Sequence, residues 1–132
     1  MNLEILLFEA GVAILAAAMV YLGAVLYKLT AVAGKKQGIW ALPVAGAAVL
    51  LLSLAAHAYA SFSVFPALEA QIKLLSGDDV LFNAQKLAVV KAGIAVLKQQ
   101  AVNLKAISFT CFFIASAMLT TAVTVYIRWI SK

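Results

Sequence analysis

The chain has 132 residues, 66% hydrophobic and 11% charged, with a formal net charge of +5, against roughly 45–50% apolar and about 25% charged residues in a soluble domain. That balance excludes an ordinary water-covered monomer, because there is too little polar surface to clothe one. It leaves two classes, a protein bathed in lipid or a subunit whose oily faces are covered by other copies. A single cysteine, Cys111, excludes a disulfide framework or a paired-thiolate site within one chain.

The length suits a single domain, residues 1–132. The N-terminus carries Glu4 and Glu9 where a signal peptide has a basic segment, so Met1 is expected to be retained. The first helix is expected over about residues 3–33. Its small residues, among them Ala10, Gly11, Ala16 and Gly23, let neighbouring backbones approach closely. Residues 10–27 are 18 in number and uncharged, enough to cross a membrane with little to spare. Gly34-Lys35-Lys36-Gln37-Gly38 reads as a turn, a basic pair flanked by glycines.

Residues 37–68 then run for 32 positions without a formal charge, with His57 the only group that ionises near neutrality. Pro43 fits the first turn of this second helix. Pro66 is expected to kink or break it, with a short helical piece over residues 67–75 beyond. Ser76-Gly77-Asp78-Asp79 is the clearest punctuation. Gly77 can close one helix, and Ser76 or Asp78 can cap the next, which is expected to start near Val80.

Lys86, Lys91, Lys98 and Lys105 interrupt that third helix. The last three are seven apart, which places them within about 40° on one stripe of a cylinder with ~3.6 residues per turn. Residues 106–127 follow, 22 positions without a charge, ending in Tyr126, Arg128, Trp129 and Lys132. Between these stretches the polar cluster Gln99, Gln100, Asn103 contains no glycine or proline. Two helices joined by a turn and one helix over residues 80–130 both stand open.

The fold class is therefore all-α, expected as an up-down bundle of about four long hydrophobic helices. With that topology Lys28, Lys35, Lys36, Lys98 and Lys105 share one acid-free end. Glu4, Glu9, Glu69, Asp78 and Asp79 share the other, with Lys73, Lys86, Arg128 and Lys132. A basic pole serves either the cytoplasmic side of a membrane or the phosphates of a nucleic acid. In a four-span membrane protein Lys91 would sit mid-helix in lipid or protein, which is costly without a partner.

Chemistry-bearing motifs are sparse. His57 on an apolar helix reads as a hydrogen-bonded packing residue before it reads as a ligand for a haem or pigment metal. Glu9 is expected to pair with Arg128 or with a neighbouring subunit, and otherwise to bind a proton or cation. Cys111 reads as a small buried hydrophobe, and Phe109, Phe112 and Phe113 as packing. No phosphate loop, catalytic triad or metal-ligand spacing is present in the sequence. The expectation is a protein that is not an enzyme and needs no cofactor.

The size, the alanine- and valine-rich helices such as residues 45–60, the use of lysine almost without arginine, and the absence of a site resemble the major capsid proteins of tailed spindle-shaped archaeal viruses. That resemblance covers the whole chain at the level of class. It implies helical subunits assembled in strands around double-stranded DNA, with sister copies hiding the apolar faces. A virion coat subunit is thus one expected function, a many-copy homo-oligomer whose DNA-facing candidates are Lys28, Lys35, Lys36, Lys98 and Lys105. The alternative is a small integral membrane protein with three or four spans, an accessory subunit of a larger complex or a small transporter using Glu9.

Overall fold

A computed structural model describes residues 3–34 and 38–131, so the expected placements of Lys35, Lys36 and Lys132 lie outside the described residues. All regular structure among the described residues is helical. Helix α1 (Leu3–Val32) is rich in alanine and leucine, which favour a helix, and contains no proline. It stops where Gly34 takes φ +65, a left-handed conformation that glycine adopts without strain, and where Gly34 N–H donates to Ala31 O at 3.3 Å.

Helix α2 (Gly38–Leu75) opens with a 3-10 turn at Gly38–Trp40 and holds Pro43 in its first α-helical turn. The interruption expected at Pro66 takes the form of a π turn, Ala60–Val64, closed by Phe65 N–H donating to Ala60 O. A proline ring collides with the carbonyl four residues back, and the wider turn makes room for it without ending the helix. Ser61 Oγ, within that turn, is buried without a hydrogen-bond partner.

A single-turn helix α3 (Asp78–Leu81) starts after Gly77, and α4 (Ala84–Ile130) runs for 47 residues. The cap of α4 is Asn83, whose Oδ1 accepts from Gln85 N–H at 3.1 Å and Lys86 N–H at 3.2 Å. The long helix therefore begins at Ala84 rather than near Val80.

Of the two arrangements the sequence left open, the continuous one is present. Gln99, Gln100 and Asn103 lie inside α4, since none of them removes a backbone donor or requires a left-handed residue. Among the described residues there are three long helices, where about four were expected.

The chain has two compact units, Met1–Ala55 with Ser108–Lys132, and Ala56–Ile107. In the first, Gly23 lies against Trp40 and Val44 while Gly46 lies against Met19, so α1 and α2 run antiparallel. Gly46 also meets Ala115 and Met118, and Ser53 bonds Ser108, so α2 and the second half of α4 are antiparallel too. It follows that α1 and residues 108–130 are parallel. Leu7, Gly11 and Leu15 accordingly share a groove with Phe112, and Leu29 and Ala33 share one with Tyr126 and Trp129. The core is Val12, Ala16, Met19, Ala47, Leu50 and Ala115.

The second unit is a helical hairpin. Residues 56–75 of α2 return as residues 84–107 of α4, with Gly93 beside Gln71 and Lys105 Nζ 6.0 Å from the centroid of the Phe65 ring.

Candidate functional site

Helix α4 carries the features that bear on function. From Leu87 to Trp129, alternating steps of three and four residues pick out side chains that are buried or partly buried, an unbroken seven-residue repeat facing the neighbouring helices. The residue types on this seam change part-way along. Leu87, Val90, Ile94, Leu97 and Leu104 fill the first stretch, with Ala101 the small exception. Large aliphatics at such positions bury apolar area from water. Ser108, Cys111, Ala115 and Ala122 fill the next stretch, with Met118 the large exception, and Val125 and Trp129 end the seam with large residues again. Small residues at the contact are the habit of helices in lipid, where close packing and hydrogen bonds hold helices together without water exclusion.

The outward surface changes at the same level and in the opposite sense. Up to Lys105 the exposed residues include Gln85, Lys86, Lys91, Lys98, Gln99 and Asn103 among alanines and valines. From 106 to 127 no charged or amide side chain occurs, and Phe109, Phe113 and Ile127 are 70%, 78% and 57% exposed. Three exposed threonines of this stretch are satisfied by their own helix. Thr120 donates to Ser116 O at 2.9 Å, Thr121 to Ala117 O at 2.8 Å and Thr124 to Thr120 O at 2.8 Å. A threonine bonded in this way leaves no hydroxyl proton seeking a partner in its surroundings.

Within the first unit one polar contact ties α2 to α4. Ser53 and Ser108, both buried, place their Oγ atoms 2.7 Å apart, and Ser53 Oγ lies 3.2 Å from Ser108 O. Replacing Ser53 by alanine is expected to cost about 0.5–1.5 kcal/mol, and the Ser53→Ala/Ser108→Ala double variant less than the sum of the two single changes, because the pair loses one shared bond. Unfolding of the purified chain in detergent measures both.

One end of this unit gathers aromatic and basic groups. Tyr27 and Trp40 meet edge to face, with ring centroids 5.5 Å apart and planes at 80°. Tyr126 and Trp129 line the groove with Leu29 and Ala33. Lys28 and Arg128 stand beside them in sequence, at matching levels of the two parallel helices, and both are exposed.

The expected site residues are redistributed accordingly. Lys28 belongs to the first unit. Lys98 and Lys105 lie in the second, exposed within α4, and Lys35 and Lys36 fall outside the described residues. The expected Glu9–Arg128 pair is corrected. Parallel packing of α1 and α4 sets Glu9 near the Phe112 end and Arg128 near the Leu29–Ala33 end, ~30 Å apart at ~1.5 Å per residue. The antiparallel fourth helix that would have joined them does not exist, because its residues continue α4. Cys111 sits on the seam, partly buried. His57 lies partly buried on α2, and no group of three or more His, Cys, Asp or Glu among the described residues can hold a metal ion.

No protein-family model matches the sequence, and neither a curated protein nor a solved structure matches it. The seam inversion on α4 was accessible from sequence through the three-and-four spacing of residues 87–129. Each lysine of the stripe, Lys91, Lys98 and Lys105, directly follows a seam residue, Val90, Leu97 and Leu104.

Proposed function

We propose that the chain is a three-span integral membrane protein, a non-catalytic accessory or anchoring subunit that holds the hairpin of residues 56–107 outside the hydrocarbon. The observation that carries this reading is the double inversion on one continuous helix. Before Lys105 the seam is mostly large and the outer surface is studded with charges and amides; from Ser108 to Ala122 the seam is mostly small and the outer surface is apolar. A helix passing from water into lipid requires that exchange.

Length supports it. At ~1.5 Å per residue, α4 is ~70 Å long, more than twice a ~30 Å hydrocarbon core, so it cannot lie wholly inside one. Residues 106–127 match the core by themselves, and residues 10–27 of the parallel α1 cross beside them. Tyr27, Trp40, Tyr126 and Trp129 suit an interfacial belt, with Lys28 and Arg128 beside them in sequence.

The coat-subunit reading around double-stranded DNA draws on the exposed lysine line Lys91, Lys98, Lys105, which suits phosphates without reading bases. One experiment separates the two. In a Cys111→Ala background, single cysteines at Gln99 and Phe113 are challenged in intact membranes and in detergent with a membrane-impermeant maleimide. The membrane reading expects Gln99→Cys to label from one side without detergent and Phe113→Cys to stay unlabelled until detergent is added. Recovery of the chain in lipid-free, nucleic-acid-containing particles with Phe113→Cys protected overturns it in favour of the coat.

A further inference from the structure

Because each follows a large seam residue directly, Lys91, Lys98 and Lys105 all take the same place in the seven-residue repeat of α4, at the edge of its contact with the returning part of α2. In a helical bundle that place faces a flanking position of the neighbouring helix, and opposite charges meeting there select one partner helix over another. Here the neighbour supplies no such match. Lys105 Nζ lies 6.0 Å from the centroid of the Phe65 ring, and one repeat further along that face of α2 comes Ile72, 50% exposed. Glu69 is the one carboxylate between those two residues, and α4 contains no Asp or Glu. Among the described residues none of the three lysines forms an ion pair. The hairpin thus has an edge with three exposed cations along one rim and apolar side chains along the other.

We infer that this edge docks a third helix, contributed by a partner protein, that is amphipathic and carries Asp or Glu at every seventh residue. The docking rests on the membrane reading, which leaves the hairpin in water. Charge sets the partner's sign, since carboxylates on its flank would meet lysines that have no counter-ion of their own. Spacing selects a helix. The lysines recur every ~10.5 Å over ~21 Å of α4, and a helix lying alongside presents its side chains with that same period. Its apolar stripe covers Phe65 and Ile72, as in other helix-in-groove contacts. Phosphates of a duplex recur at ~3.4 Å along each strand and gain nothing from an exposed isoleucine. A second copy of the chain does not supply the pattern either. Its acids, Glu4, Glu9, Glu69, Asp78 and Asp79, include no two that are seven apart. Gln99 lies about 100° further round α4 from Lys98, off this edge, so a docked helix leaves it open to labelling.

The test uses the full chain purified in a neutral detergent at ~0.15 M salt and a fluorescent peptide of ~21 residues, with leucine on its apolar stripe and glutamate at every seventh flanking position. Anisotropy reads the binding. The peptide is expected to bind at least ~10-fold more tightly than one of the same composition in scrambled order. Lys98→Glu is expected to weaken binding at least ~10-fold, whereas Lys86→Glu, the same charge change about 120° round the helix, leaves it within ~2-fold. Lys98→Gln, which introduces no new charge, is expected to give a loss between those two and guards against a folding defect in Lys98→Glu. Equal binding of the ordered and scrambled peptides, equal losses from Lys98→Glu and Lys86→Glu, no loss from Lys98→Gln, or displacement of the peptide by an equal concentration of double-stranded DNA overturns the docking. If the maleimide pattern at Gln99 and Phe113 holds while the peptide results go against it, only the docking falls. If that pattern itself fails, the membrane reading falls whatever the peptide does.

Discussion

Placing a lysine at Phe113 is expected to cost the chain about 3 kcal/mol of membrane insertion, on the order of a hundredfold in the inserted fraction, whereas a lysine at Val96 is expected to cost almost nothing. Both positions are on the outward surface of α4, at 78% and 59% exposure, and both exchange an apolar side chain for the same cation. They differ in what surrounds them under the membrane reading. Phe113 lies eight residues into the uncharged stretch of residues 106–127, near its middle, where a lysine stem is too short to carry its ammonium group to water. Val96 lies among Lys91, Lys98 and Gln99, where an added ammonium group stays solvated. The inserted fraction of newly made Phe113→Lys and Val96→Lys chains in microsomes measures the difference directly. Equal insertion of the two would remove the basis for putting the boundary near Lys105.

The second large effect concerns close approach within the first unit. A Cβ added at Gly23 would lie 2.6 Å from Val44 Cγ2 and 3.1 Å from Trp40 O. Valine is branched at Cβ and cannot withdraw that methyl without leaving its rotamer, and the carbonyl belongs to the backbone of α2. Gly23→Ala is therefore expected to push α1 away from α2 and to destabilise the bundle by about 1–3 kcal/mol. Gly46 offers a contrast. Its added Cβ would meet Met19 Cε at 2.5 Å, but that atom is the far end of a flexible side chain, and the next neighbour, Ala115 O, is at an ordinary 3.5 Å. Gly46→Ala is expected to cost less than Gly23→Ala, because methionine can turn aside. Denaturant titration of both variants in the same detergent tests the order. A larger loss at Gly46 would show that Met19 is held more firmly than its side-chain freedom implies.

Both results turn on neighbours, and that is where sequence and structure part company. The all-helical class, the uncharged stretches of residues 10–27 and 106–127, the turn after residue 33 and the break in pattern at Ser76-Gly77-Asp78-Asp79 were legible, because hydropathy and turn chemistry are properties of short windows of chain. Pro66 was legible as a disturbance but not as a π turn, since whether a proline ends a helix or is accommodated by a wider turn depends on what the flanking segments pack against.

The sequence by itself determined that the chain is helical, that it has too few polar groups to face water alone, and that charge is withheld from stretches long enough to span a bilayer. The tertiary structure decided that residues 84–130 form one continuous helix. Its residues 108–130 run alongside α1 in the same direction, which parts Glu9 from Arg128. Continuity was undecidable from composition because Gln99, Gln100 and Asn103 suit a helix interior and a polar turn almost equally. Their intrinsic helix preferences differ by only a few tenths of a kcal/mol, and packing along an unbroken seam outweighs that difference.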